Sequence, residues 1–188
     1  MLSDDQKRRI MDYAAFRSKS NDRFHDLGHL TSTAVAASRL AQMEGASQDI
    51  CWAAAMLHDI CKNEQGDHGE RGAKEAEKFL LDIGVDAKAA LTISDAIHFH
   101  NKEFQGGPIE RQILWDADKL QAVTLSAFEK RMLPNWQGKL GERDGLSKAG
   151  EEYRFLMERF HTRNGKRLAC EDEEAVEWLL DEMGARFR

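Results

Sequence analysis

Histidine and aspartate recur along this chain in short, close combinations. They are His25-Asp26-Leu27-Gly28-His29, His58-Asp59, His68, the pair His98 and His100, and Asp116-Ala117-Asp118. The His58-Asp59 pair closes an apolar run, Ala53 to Leu57, that belongs in a core. A buried imidazole and carboxylate cost free energy unless they are paired or bound to a metal. Adjacent residues diverge by about 100° on a helix, so His58 and Asp59 share one ion best astride a helix end. Together with His29 and Asp118 they form a set of two imidazoles and two carboxylates. Such a set suits Mn, Fe, Co, Ni or Mg with open water positions, and suits a closed structural Zn site poorly. An ion with open positions acidifies bound water, so the pattern points to hydrolysis.

The elements that must bring these residues together read as helices. Ser3 with Gln6 forms a capping box for a first helix carrying Ile10, Tyr13 and Ala14, with Phe16 beside them. Residues 17–22 are polar and read as a loop. A second helix spans about residues 25–44, with Leu30, Ala34, Ala37, Leu40 and Ala41 at helical spacing and Gly45 as its stop. Ser47 caps a helix over 50–58. Residues 63–67 form a loop before a helix from His68 to about Gly84. Asp86 opens the next helix, with Ala90, Ile93, Ile97, His98 and His100. Gln105-Gly106-Gly107-Pro108 is a turn, followed by a helix over 109–128. Residues 130–147, with Pro134, Gly138, Gly141 and Gly145, read as an irregular segment able to cover a site, with Trp136 placed to stack on a base. Two helices over 148–162 and 171–186 complete an all-α fold, a single helical bundle-like domain with a C-terminal helical extension.

Composition agrees. Of 188 residues, 41% are hydrophobic and 32% charged, which suits a globular protein with one buried core. The net charge of −6 gives no general pull toward nucleic acid or anionic lipid. Cys51, Cys61 and Cys170 are dispersed and form no CxxC pair, which suggests reduced thiols. No apolar run is long enough for a transmembrane helix, and Met1-Leu2-Ser3-Asp4-Asp5 lacks a signal-peptide pattern. A cytoplasmic protein is the expectation.

The order of these pieces resembles the HD superfamily of metal-dependent phosphohydrolases, in its small stand-alone branch. The resemblance rests on His25-Asp26-Leu27-Gly28-His29, Leu57-His58-Asp59-Ile60 and Asp116-Ala117-Asp118-Lys119-Leu120, and covers roughly residues 20–130. Two further matches are His68-Gly69-Glu70-Arg71-Gly72-Ala73 and Ile97-His98-Phe99-His100. The resemblance implies an HD-domain helical bundle in which His29, His58, Asp59 and Asp118 bind a divalent metal (Mn, Mg, Fe, Co, Ni or Zn). His68 and His100 match positions that bind a second metal in binuclear relatives and face the substrate phosphate in mononuclear ones. It further implies water attack on phosphorus of a small phosphorylated substrate, a nucleotide or other metabolite. Lys62, His68 and Arg71 would neutralise phosphate charge, and Asp116 or His100 would orient water or protonate the leaving group.

Rival readings exist for the same residues. Some HD relatives with two irons are oxygenases, and this chain keeps both second-metal candidates. A non-catalytic nucleotide binder needs no open metal position, whereas here every ligand position is filled. The run from His25 to His29 also resembles the His-Glu-x-x-His signature of zinc peptidases, with Asp26 in place of Glu. That reading leaves His58, Asp59 and Asp118 unexplained. His25 either supports the His29 ring or is exposed, His98 faces away from His100 on a regular helix, and His161 reads as structural.

Overall fold

Side-chain caps set most of the helix starts. In the computed structural model, which describes residues 1–103 and 105–187, α1 (Asp4–Arg17) begins with the expected reciprocal pair. Gln6 N–H donates to Ser3 Oγ, and Ser3 N–H donates to the Gln6 side chain. Asp26 accepts from His29 N–H to open α2 (Leu27–Glu44), and Gly45, at φ 71°, closes it. A left-handed turn there has no steric penalty for glycine. Ser47 opens α3 (Gln48–Leu57), Asp67 opens α4 (His68–Asp82), and Asp86 opens α5 (Ala87–Phe99). Gly106 and Gly107, both at positive φ, form the turn before α6 (Ile109–Val123).

The chain forms two compact units, Met1–Asp118 and Lys119–Arg188, and the division falls within α6. In the first unit α2 packs on α3 and α4 on α5, while α3 also meets α1 and α5. Ile10, Leu30, Leu40, Leu57, Leu80, Ile93, Ile97 and Ile113 are wholly buried there. Each such side chain contributes about 1.5–3 kcal/mol of transfer free energy, so this core fixes where the helix ends lie. Among the described residues there is no strand, and no helix is long and apolar enough to cross a membrane.

In the second unit the segment expected to be irregular is helical. After α7 (Leu125–Ala127) and a π-turn at Phe128–Met132 come α8 (Leu133–Leu140) and α9 (Glu142–Met157). The Pro and Gly residues that suggested a loop sit where helices tolerate them. Pro134 lies in the first turn of α8, where its missing N–H costs nothing. Gly141, at φ 84°, makes the corner. Gly145 lets α9 pass close to α8: a Cβ there would stand 2.5 Å from the Gln137 backbone. Trp136 is not a free lid tip, because its indole N–H donates to Glu152 at 2.7 Å. The expected helix over 148–162 starts earlier as α9, and α10 (Arg163–Cys170), which periodicity did not separate, precedes α11 (Glu173–Ala185). Phe128 and Tyr153 meet edge to face at 5.7 Å in this unit's core.

Candidate metal centre

The titratable cluster of the first unit is built largely from helix ends. His29 stands in the first turn of α2, and His58 and Asp59 directly follow α3. His68 begins α4, His100 follows α5, and Asp118 lies on α6. At helix termini the backbone leaves unpaired groups that orient side chains. The ring of His58 donates Nδ1–H to the Ala55 carbonyl at 2.7 Å, and that of His100 donates to the Ile97 carbonyl at 2.6 Å. These carbonyl acceptors place a proton on Nδ1 and turn Nε2 inward.

Four of these side chains, together with Lys62, converge on Asp59, which is 1% exposed. Asp59 Oδ2 lies 3.5 Å from His58 Nε2 and 3.8 Å from His29 Nε2. Its other oxygen, Oδ1, lies 3.3 Å from His100 Nε2, 3.5 Å from His68 Nε2 and 3.7 Å from Lys62 Nζ. Asp118 Oδ1 completes the first side, 3.2 Å from His29 Nε2 and 3.6 Å from His58 Nε2, which are themselves 3.2 Å apart. Two groups could each hold an ion: His29 with His58 and Asp59, and Asp59 with His68 and His100.

The donor set fits a divalent metal. Donors about 2.1 Å from one ion, at tetrahedral or octahedral angles, stand roughly 3.0–3.4 Å apart, close to the separations on the His29–His58–Asp118 side. Asp59 Oδ1 and His100 Nε2 are buried and have no hydrogen-bond partner among the described residues, although they lie 3.3 Å apart. Orphaned polar atoms in a buried site are costly, and a cation between them removes that cost.

Charge follows the same geometry. Burial favours the neutral acid of Asp59, but His58, His100 and Lys62 outweigh it and hold the carboxyl well below its usual range. Burial disfavours the His58 imidazolium, yet Asp59 and Asp118 outweigh burial and raise its pKa. Burial lowers His29 and His100. Burial, followed by the positive charge of Lys62, pushes His68 down to about 4. A lowered pKa favours the neutral imidazole in His29, His68 and His100, the form that binds a metal.

The structure therefore brings His29, His58, Asp59, Asp118, His68, His100 and Lys62 together. Lys62 Nζ also stands 3.4 Å from His68 Nε2. Asp116 is wholly buried on α6, two residues from Asp118. Arg71 binds Glu64 at 2.8 Å and the Gln65 carbonyl at 2.6 Å, as a surface contact. His98 turns to Lys102, at 2.9 Å. The zinc-peptidase arrangement is absent: His25 and Asp26 precede α2, His25 Nδ1 is held by Asp22 at 2.9 Å, and Asp26 is occupied as the helix cap. His25 meets the His29 ring edge-on at 5.7 Å.

Sequence reasoning missed the polar groups around the cluster. Asn21 donates to the carbonyls of His25 and Asp59. Arg17 donates to that of Ile60. Asp67 accepts from Gly69 and Glu70 N–H and from Asn101, and pairs with Lys102. The cap at Asp67 was readable from its place before the helix. Asn21 and Arg17 carry no local signal for the site, because the carbonyls of Asp59 and Ile60 that they reach are distant in sequence.

Comparison with known proteins meets this geometry. A family model for the HD domain matches residues 24–123, more than half of the chain. The chain belongs to the HD domain family. Among solved structures, Bacillus subtilis YpgQ in complex with ADP has a TM-score of 0.79 at 19% identity, over 97% of this chain and 95% of that one. A predicted HD superfamily hydrolase from an uncultured Thermotogales bacterium has a TM-score of 0.72 at 24% identity, covering 96% and 92% of the two chains. At these identities the likeness shows a shared fold. Among curated proteins, the bifunctional uridylyltransferase/uridylyl-removing enzyme of Bordetella pertussis is 37% identical over 51 residues. That match spans 27% of this HD chain and 6% of the relative's length.

Proposed function

We propose that this HD protein is a metal-dependent phosphohydrolase acting on a phosphate ester of a nucleotide or other small phosphorylated metabolite. One observation carries the reading: a single buried carboxylate, Asp59, turns each of its oxygens toward a separate pair of histidines. In this reading His29, His58, Asp59 and Asp118 hold one divalent ion, and Asp59, His68 and His100 form a place for a second. These residues would hold the ion, whose chemistry there would be to lower the pKa of water for attack on phosphorus.

The chain's own groups do the rest. The Ala55 and Ile97 carbonyls keep the His58 and His100 rings turned so that Nε2 faces the centre. Lys62, half-buried beside His68, supplies a fixed positive charge for a phosphate oxygen. His68 is less enclosed than His100 and neutral at pH 7, so it can accept a proton at Nε2 or bind the second ion. Asp116, buried on α6 two residues from Asp118, is the candidate to orient the attacking water. The proposed location is the cytoplasm, in line with free Cys51, Cys61 and Cys170.

The ADP complex of the YpgQ neighbour makes nucleoside phosphates the first class to test. The assay is phosphate release from a panel of nucleotides and sugar phosphates with added Mn, Mg, Co, Ni, Fe or Zn. Turnover that disappears in Asp59→Ala supports the proposal. No turnover on any phosphate ester with any of these ions would refute it.

A second reading, a binuclear-iron oxygenase, is favoured by the complete Asp59–His68–His100 group. It requires turnover that depends on both iron and dioxygen.

A further inference from the structure

The metal centre depends on a turn that has lost its helical hydrogen-bond ladder. Helix α3 ends at Leu57, and His58 to Asn63 continue as consecutive turns. The last carbonyls of a helix have no partner within it. Just past the helix, the Asp59 and Ile60 carbonyls lie beside the residues that do chemistry, and two side chains from outside the matched HD region, residues 24–123, reach them.

Asn21 Nδ2 donates to the Asp59 carbonyl at 3.1 Å and to the His25 carbonyl at 2.8 Å. One amide thus uses both of its hydrogens to tie the segment that leads to His29 to the segment that carries His58 and Asp59. Arg17 Nε donates to the next carbonyl, Ile60, at 3.2 Å. Three more guanidinium hydrogens go to Glu64 at 2.5 Å and Cys61 Sγ at 3.4 Å of the same turn, and to Glu75 of α4 at 3.1 Å. Tyr13 of α1 donates to the same Glu75 oxygen at 2.7 Å, and Asn63 donates to the Ser20 carbonyl. A cation facing the carbonyl end of a helix is also favoured by the helix dipole.

We infer that α1 and the turn after it form a clasp on the metal centre, with Arg17 and Asn21 as positioning residues that fix Asp59 relative to His29. The inference rests on the metal reading above. Ligand geometry must be held to about 0.5 Å for tight binding. The backbone of residues 58–64 is held only by separate turn bonds, from Ile60, Lys62 and Glu64 N–H to the carbonyls three residues back, so the clasp supplies the rest. Losing such support around metal ligands weakens binding about 10–100-fold.

The test uses the full chain and Mn(II) alone as probe. Binding is followed by the electron paramagnetic resonance signal of free Mn(II), and melting is measured in chelator. The variants are Asn21→Asp, which keeps the size but removes both donated hydrogens, Arg17→Ala, Arg17→Lys and Asp59→Asn. The expected result is about tenfold weaker Mn(II) binding in Asn21→Asp and Arg17→Ala, with partial recovery in Arg17→Lys. The visible spectrum of the Co(II)-loaded Asn21→Asp protein should also differ from that of the parent. If the parent binds Mn(II), Asp59→Asn does not, and both clasp variants bind like the parent, the clasp is refuted and the site stands. Clasp variants that melt earlier in chelator but bind Mn(II) with unchanged affinity when folded also refute it. A parent chain that binds no Mn(II) overturns the metal reading and the clasp with it.

Discussion

Replacing Asp59 by asparagine keeps the side-chain volume at a site that is 1% exposed. It removes the charge and turns one oxygen into a donor. Whichever way the amide lies, an NH2 group points at histidine Nε2 atoms, either the His29–His58 side or the His68–His100 side. Loss of supporting contacts around metal ligands already costs 10–100-fold in affinity, so losing the central ligand should cost at least about 100-fold. At a Mn(II) concentration 100 times the parent dissociation constant, the bound ion adds about 2.7 kcal/mol to the parent's stability. With affinity 100-fold weaker the variant gains only about 0.4 kcal/mol. The difference of about 2.3 kcal/mol corresponds to roughly 5–9 °C in melting temperature for a chain of this size. The assay is differential scanning fluorimetry of parent and Asp59→Asn, each with chelator and with Mn(II). The metal-induced shift is compared, not the absolute temperature, because the substitution also changes the metal-free protein. His98→Ala is the control, since His98 turns to Lys102 and should leave the shift intact. An equal Mn(II)-induced shift in Asp59→Asn and the parent would refute the reasoning.

Other consequences follow from particular contacts. Gly145→Ala puts a Cβ 2.5 Å from the Gln137 backbone. It should cost about 1–3 kcal/mol, seen as a lower urea midpoint, and an unchanged midpoint would contradict the close α8–α9 approach. Asp67→Ala removes the cap of α4 together with the Asn101 and Lys102 contacts. A loss of about 1 kcal/mol or more is expected in equilibrium denaturation. Asp49 opposes its own burial by accepting from Lys7 at 2.6 Å and Leu2 N–H at 2.8 Å, and its pKa is lowered. Its stabilisation is therefore present above the unfolded value, near pH 4, and is lost as pH falls through the lower folded value. Asp49→Asn should be less stable than the parent at pH 7, and the gap should close on acidification below about pH 4. A gap that stays constant from pH 7 to pH 2.5 would contradict the assigned pairing.

Much of this was legible in the sequence where the determining interaction is local. Ser3, Ser47 and Asp86 announce helix starts within three residues, and Gly45 announces a stop. The order His29, His58-Asp59, Asp118 is readable because the residue types are rare in apolar runs. What the sequence left obscure depends on contacts between distant segments. Gly145 looks like a loop residue until Gln137 is seen packed against it. The same holds for Pro134, whose meaning changes once α8 starts at Leu133. His25 and Asp26 imitate a helical metal motif, but the Asp26 cap starts α2 one residue later and removes His25 from its face. Asn21 and Arg17 are ordinary polar residues of a first helix and turn until the carbonyls of Asp59 and Ile60 are placed beside them.

The most direct test of the metal centre is the metal-to-chain ratio by elemental analysis of protein purified without chelator and then reloaded with Mn(II) or Fe(II). The account predicts at least one ion per chain, a second only while His68 and His100 are intact, and none in Asp59→Asn. A parent chain that holds no metal after reloading would contradict it.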